Sequence, residues 1–409
     1  MTSSTSATRR DFLIRSGALG GALALGPLSA PMTLAAAPWD ARLVVIILRG
    51  AMDGLEVVRP EGDPLFAQYR PTLGDRTGSH DLDGYFALNR HLEGLMPLWQ
   101  KGELAFAHAV ATPYRDKRSH FDGQDMLEAG TGTDVGLRAI RDGWLNRMLG
   151  HVPGVSVKTA FAVGHEDMKI LNGAVPVSSW APDARLDLTP QGRRLLQALY
   201  RGDPVFQAAG QTAIELAALS DQGAPSGQEG SAMAMSAMMR NPARAERAAA
   251  LAKFAAERLN EETRIAAFSI GGWDTHRTQA NAIRRALGEL SAAILGLQKT
   301  LGSNWKKTVV MAMTEFGRTA RENGSRGTDH GTGGVMLMAG GAIRGGRVFG
   351  RWPGLRPEQL YQDRDLMPTR DVRAYPAHAM RAMFGLSSSL LEGTIFPGLD
   401  MGMDPHILA

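Results

Sequence analysis

The residues best suited to chemistry stand in three short motifs. Gly272-Trp273-Asp274-Thr275-His276 comes first, then Thr314-Glu315-Phe316-Gly317-Arg318-Thr319, then Gly327-Thr328-Asp329-His330-Gly331. Carboxylate and imidazole groups at this density suit a metal or phosphate-type site better than a packing motif. Asp53, Asp274, Glu315 and Asp329 gathered in one pocket would repel one another unless a cation or arginines offset the charge. Arg49, Arg318 and Arg326 can supply part of that offset. They can equally clamp an anionic substrate, since guanidinium matches phosphate and sulfate bidentately. For Arg318 the competing reading is a salt bridge to Glu315, close by in sequence.

The elements that must position these groups are legible in the apolar runs before them. Ile265–Ile270 and residues 309–313 read as strands, with a helical segment from about residue 278 to 301 between them. Such a strand, helix, strand order makes the two strands parallel. Ligands collect outside the carboxyl ends of strands in sheets of this kind, where Asp274, His276 and Glu315 would converge. Residues 43–48 form a continuous apolar run, as expected for a strand covered on both faces. It ends at Arg49-Gly50-Ala51-Met52-Asp53-Gly54, so Asp53 is either a turn residue or a site residue just beyond the strand. A further strand is expected over residues 104–110, and an amphipathic helix over 245–260.

Residues 118–130 lie between that further strand and the middle of the chain. Ser119 fits a helix N-cap, with free backbone N–H groups after it. Beside a metal, its hydroxyl would be a nucleophile, because a cation lowers the cost of its deprotonation; otherwise it is only a cap. His120 reads as a substrate-binding or ligand residue, or as a structural histidine.

Arg9-Arg10-Asp11-Phe12-Leu13, followed by a Gly/Ala-rich apolar run ending in Ala35-Ala36-Ala37, fits a twin-arginine export signal over residues 1–36. Removing Arg9, Arg10, Arg15 and Asp11 from 45 basic and 41 acidic residues leaves 42 against 40, a net charge of +2. That is no electrostatic footprint for nucleic acid. The chain has no cysteine, which excludes thiolate metal sites, cysteine nucleophiles and disulfides. Any metal must be held by Asp, Glu, His or hydroxyl groups, which suit zinc, manganese, magnesium or calcium better than soft copper. Residues 37–409 suffice for a single large α/β domain, with no second membrane-length apolar run. Residues 219–244 read as a flexible insertion, and Met233, Met235, Met238 and Met239 within it as core packing rather than a copper site.

Taken together, these segments resemble the exported bacterial family known as domain of unknown function 1501. The resemblance runs from residues 42–53 through 118–130, 271–279, 314–319 and 327–334 to Phe396-Pro397-Gly398. That family is placed among the alkaline-phosphatase-like proteins, with sulfatases and cofactor-independent phosphoglycerate mutases. The resemblance therefore implies an α/β/α sandwich with a mostly parallel central sheet. It also implies Asp53, Asp274, His276 and His330 as metal ligands with Asp329 adjacent, and Ser119 as nucleophile. Where the superfamily carries an Asp-His pair, this chain has Glu315-Phe316, so one histidine ligand is lost and a single metal site is implied.

The expected function is metal-dependent hydrolysis or transfer at a phosphate or sulfate ester of a small molecule or polymer, in the periplasm or outside the cell. Ser119 or water would attack, Glu315 would be a ligand or general base, and His120, Arg49 and Arg318 would bind substrate. The twin-arginine machinery would be the export partner, and no stable membrane span would remain after cleavage. The alternative is a non-catalytic exported binding or assembly protein with a reduced metal site. A nucleotide-binding oxidoreductase is opposed by the lack of Gly-x-Gly-x-x-Gly after the first strand.

Overall fold

The computed structural model describes residues 39–132, 140–164, 166–180 and 244–409. The export signal, residues 219–243 of the insertion and the four methionines within it lie outside the described residues. Nine strands form the central sheet: β1 (Arg42–Leu48), β2 (Leu104–Ala111), β3 (Ala160–Val163), β4 (Ser178–Trp180), β5 (Ile265–Ile270), β6 (Thr308–Met313), β7 (Gly334–Ala339), β8 (Arg347–Phe349) and β9 (Arg370–Asp371). Their order is β8-β2-β7-β6-β1-β5-β3-β4, with β8 and β9 sharing the outer side of β2. Every pairing is parallel except those of β7, which runs against both β2 and β6.

The expected strands form where the apolar runs stand, and the reason is burial on both faces. Every residue of β1, β2 and β6 is buried, and each large aliphatic side chain so removed from water contributes about 1.5–3 kcal/mol. Along β1, Leu43, Val45 and Ile47 join a core with Trp144, Met148 and Tyr375. Tyr375 belongs to one of the helices that frame the sheet, which are α1 (His120–Ala129), α2 (Arg244–Leu259), α3 (Gln279–Leu301) and α4 (Ala374–Phe384). The helices α2 and α3 pack on each other and against β5. The apolar stripe of α3, Ile283, Leu287, Leu290, Ile294, Leu297 and Leu301, recurs at helical spacing and is buried. The result is a mixed α/β fold with a large, mostly parallel central sheet. No helix among the described residues is long and apolar enough to cross a membrane.

Two topological facts place the motifs. The α3 crossover carries the chain from β5 to β6 over β1, which lies between them and pairs in register with both: Leu48 faces Ile270 and Ile47 faces Met313. The segments after β1, β5 and β6 therefore leave the sheet at one edge. The chain then stays at that edge through residues 314–333 and enters β7 from it, which is why β7 is antiparallel and why Glu315 and His330 start from the same side.

Candidate metal centre

The loops after β1 and β5 touch because Gly50 has φ +117 and no side chain. A Cβ there would stand 2.6 Å from the Asp274 backbone nitrogen. Arg318 then pins these loops to a third. Its buried guanidinium donates to the carbonyls of Ala51 (2.7 Å), Thr328 (3.0 Å), Gly50 (2.6 Å) and Trp273 (3.0 Å), and to Asp274 Oδ1 at 2.7 Å. The planar fork of arginine can hold several carbonyls in fixed positions at once, and here all three nitrogens are engaged. In this structure the carboxylate partner of Arg318 is Asp274 rather than Glu315, and its guanidinium holds loops together where a substrate clamp was expected.

Glu315 is 0% exposed. Its Oε1 accepts from Gly50 N (2.9 Å), His120 Nδ1 (2.7 Å) and Gln124 Nε2 (3.1 Å), and its Oε2 from Thr314 Oγ1 (2.9 Å). Burial works against its charge, yet these donors outweigh it and hold its pKa below the usual range. With both oxygens occupied inside the protein, Glu315 orients His120 instead of facing a ligand or substrate. This differs from the general-base or ligand role expected of it, because burial removes it from the open side of the site.

Three imidazoles meet beside Asp274. His276 Nε2 lies 3.0 Å from His330 Nε2 and 3.0 Å from Asp274 Oδ1; His330 Nε2 lies 3.3 Å from the same oxygen and His120 Nε2 3.7 Å from it. Each ring has its other nitrogen held by an acceptor: His120 Nδ1 by Glu315, His276 Nδ1 by Asp329 Oδ1 (3.3 Å), and His330 Nδ1 by the Arg118 carbonyl (3.0 Å). An acceptor at Nδ1 places the proton there and leaves a lone pair on Nε2. In that tautomer, three Nε2 lone pairs and a carboxylate face one another. His120 Nε2 is buried and has no hydrogen-bond partner. A cation resolves this arrangement, and imidazoles steered at Nδ1 by carboxylate or carbonyl are how proteins present such ligands. His120, Asp274 and His330 offer atoms that all lie within 4.8 Å of one another, with His276 beside them.

The electrostatics agree with this reading at Asp274 and His330. Burial opposes the charge of Asp274, but the hydrogen bond and charge of Arg318 prevail and lower its pKa. Burial, with Arg318 and His120 nearby, lowers the pKa of His330 and favours its neutral, metal-binding form. The Glu315 hydrogen bond raises that of His120, partly offset by burial. A proton and a metal therefore compete at His120.

The remaining expected residues sort as follows. Asp329 does not join the carboxylate face; it steers His276 and is itself held by Asn323 Nδ2 at 3.0 Å. Asp53 is buried away from the ligand atoms, with Arg70 donating to both its oxygens (2.6 and 3.1 Å) and Gln279 Nε2 to Oδ2 (2.5 Å). Three of the four acceptor positions of this carboxylate are filled by these protein donors, so in this structure Asp53 serves the Arg70 pair where a metal ligand was expected. Its partner Gln279 accepts from Thr275 Oγ1 (2.9 Å) and Thr328 Oγ1 (2.6 Å), tying Asp53 to the loops that bear His276 and Asp329. Arg49 pairs with Glu128 (2.8 Å) and Glu166 (2.7 Å), so its charge is already neutralised, against its expected role toward an anion. Ser119 caps α1: its Oγ accepts from Asp122 N at 3.4 Å, and its own N–H donates to the Tyr114 hydroxyl at 2.8 Å.

Sequence reasoning under-read His120 and passed over Arg70, Gln279 and Asn323. For His120 the available signal was its place at a helix start opposite Glu315; no local pattern marks Gln279, which acts on Asp53 from 226 positions away, while Arg70 and Asn323 lie only 17 and 6 positions from the carboxylates they hold and are brought to them by loop shape.

The family model described as "Protein of unknown function (DUF1501)" matches residues 100–386. No curated protein matches the chain. Among solved structures, the chain is similar to a protein in the alkaline phosphatase superfamily from Vibrio parahaemolyticus, at 13% identity and TM-score 0.33, over 82% of this chain and 69% of that one. It is similar to the lipoteichoic acid synthase LtaP from Listeria monocytogenes at 11% identity and TM-score 0.34, over 74% of this chain and 62% of that one. It is similar also to the C-terminal periplasmic domain of EcEptC from Escherichia coli, in complex with Zn, at 10% identity and TM-score 0.37, over 94% and 96% of the two chains. Likenesses of this size carry no argument about the site's chemistry.

Proposed function

The chain belongs to the DUF1501 family, and we propose that it is an exported metal-dependent hydrolase or transferase acting on phosphate or sulfate esters. The observation that supports this reading is the convergence of His120, His276 and His330 on Asp274, each ring steered at Nδ1. The donor set is three imidazoles and one carboxylate. That composition favours zinc or a similar transition metal over magnesium or calcium, which prefer all-oxygen shells. A divalent ion held there supplies charge that polarises an ester oxygen and eases deprotonation of a hydroxyl or water.

The chain's own residues do the rest. Asp274 brings its charge without help from a second acid, and Arg318 fixes its position. Asp329 and the Arg118 carbonyl keep protons on Nδ1 of His276 and His330. Ser119 stands one residue before His120, so its hydroxyl is the chain's candidate nucleophile; capping Asp122 N takes one lone pair and leaves the other for attack. Residues 1–36 carry the export signal that takes the folded protein across the membrane.

The test is elemental analysis of the protein exported in folded form, paired with turnover assays on 4-nitrophenyl phosphate, bis(4-nitrophenyl) phosphate and 4-nitrophenyl sulfate. Stoichiometric zinc and hydrolysis of one of these esters, both lost in His276→Ala, is the expected result. Metal without turnover puts the binding or assembly reading ahead. A protein that takes up no metal from any of zinc, manganese, magnesium or calcium overturns the proposal.

A further inference from the structure

Beside the metal centre the structure opens into a cleft of about 830 Å³. The two are joined through one side chain: Gln124 lines the cleft and donates to Glu315 Oε1, the oxygen that steers His120. At the rim stands Phe121, next to His120 on the first turn of α1. It is 85% exposed, one of two large hydrophobic side chains so placed among the described residues. An aromatic ring on a helix lining a cleft offers a flat face on which an apolar ligand surface can stack.

The charges lining the cleft say what kind of molecule brings that face. Among the described residues it has three cations, Arg49, Arg141 and Lys169, against four acids, Asp125, Glu128, Glu166 and Asp167. Most of these are already paired. Arg49 lies 2.8 Å from Glu128 and 2.7 Å from Glu166, Lys169 lies 3.1 Å from Asp125, and Asn172 donates to Asp167 at 3.0 Å. This is no trap for a phosphate or sulfate group, because the acids outnumber the cations. It is a mosaic in which hydrogen-bond donors and acceptors alternate a few ångströms apart with little net charge. A hydroxyl group both donates and accepts, so a ring bearing several hydroxyls finds partners along such a wall. The same ring, in a pyranose, presents a face of C–H groups that stacks on an aromatic platform.

We propose that this cleft is a saccharide subsite, with Phe121 as its stacking platform, and that it holds the uncharged sugar rings of a glycan. Their role as the carrier of the ester processed next door rests on the proposed function of the metal centre; their binding does not. The arrangement divides the work: the centre faces the charged group, and the cleft reads the sugar that bears it.

Binding is therefore measured apart from catalysis, by titration calorimetry of the full protein after chelator treatment, with cellohexaose, chitohexaose and maltohexaose as probes. At least one probe binds. Phe121→Ala weakens that binding about tenfold or more, the loss of one stacked ring, while Phe121→Trp keeps it. Because Phe121 is exposed, the melting temperature of both variants stays at the wild-type value and separates lost binding from lost folding. His276→Ala retains wild-type saccharide affinity even where turnover is absent, so failure of the metal-centre reading leaves this result standing. The proposal is overturned if none of the three probes binds at 10 mM or above, about the weakest affinity such a subsite would have. It is overturned equally if Phe121→Ala binds as wild type does, or if trilysine binds the cleft and the saccharides do not.

Discussion

His276 Nε2 and His330 Nε2 lie 3.0 Å apart, and the far nitrogen of each ring faces an acceptor, Asp329 for one and the Arg118 carbonyl for the other, which favours the proton on that side. Two lone pairs at that separation repel unless something positive lies between them. A chelator should then lower the melting temperature, and added zinc should restore it by mass action, by about 2.7 kcal/mol at a hundredfold excess over the dissociation constant. His276→Ala should melt like the chelated wild type and respond to neither treatment. Differential scanning fluorimetry of both proteins decides this. A wild-type curve indifferent to chelator and to zinc, manganese, magnesium and calcium alike counts against a metal centre.

Asp329 acts on the centre through its contact with His276 Nδ1, at 3.3 Å. Its removal frees the imidazole to rotate and to move its proton to Nε2, which costs about 10–100-fold in metal affinity for a group in this position. Asp329→Asn can still present an oxygen to Nδ1 and should lose less than Asp329→Ala. Competition against a fluorescent zinc chelator measures both. Equal affinities in wild type and Asp329→Ala would show that His276 is held by other means.

The sheet was legible in the sequence because double-sided burial writes continuous apolar runs, as in β1, β5 and β6. Their shared carboxyl edge followed from the crossover alone, and with it the approach of Asp274, His276 and Glu315. What did not follow was which polar groups face a ligand and which face each other. Asp53 and Arg70 form a buried pair, and Arg318 spends itself on four carbonyls; both depend on loop shapes that no spacing rule encodes. His120 was ambiguous for a related reason. A histidine at a helix start is turned toward Asp274 only because Glu315, 195 positions further on, holds the other side of its ring.

Ser119 has two roles that mutation can separate. As a cap it contributes about 1 kcal/mol or less, since its bond to Asp122 N is long at 3.4 Å. Ser119→Ala should therefore lower the melting temperature slightly and leave zinc content intact. If the hydroxyl is also the nucleophile, turnover falls to background in the same variant. Unchanged turnover with a small loss of stability would leave Ser119 as a cap and assign the attack to water.

Glu56 links pH to stability through a carboxyl outside the imidazole cluster. Arg70 takes Asp53 as its close partner, at 2.6 Å, and stays 3.8 Å from Glu56 Oε2, which is buried without a hydrogen-bond partner. Burial pushes the Glu56 carboxyl from its ordinary 4.5 up to about 8, against the opposing pull of Arg59 and Arg70. An acid whose folded-state pKa is raised binds more protons folded than unfolded, so stability is highest below the unfolded value and falls as pH rises from about 4.5 to about 8. The loss across that window is on the order of 4 kcal/mol for this group alone. Glu56→Gln keeps an oxygen for Asn89 Nδ2, which donates to Glu56 Oε1 at 3.1 Å, and has no charge to bury. It should therefore melt higher than wild type at pH 8 and at the same temperature near pH 5. Melting curves of the two proteins across that range test the claim, and a difference that does not change with pH would mean that Glu56 is already ionised throughout.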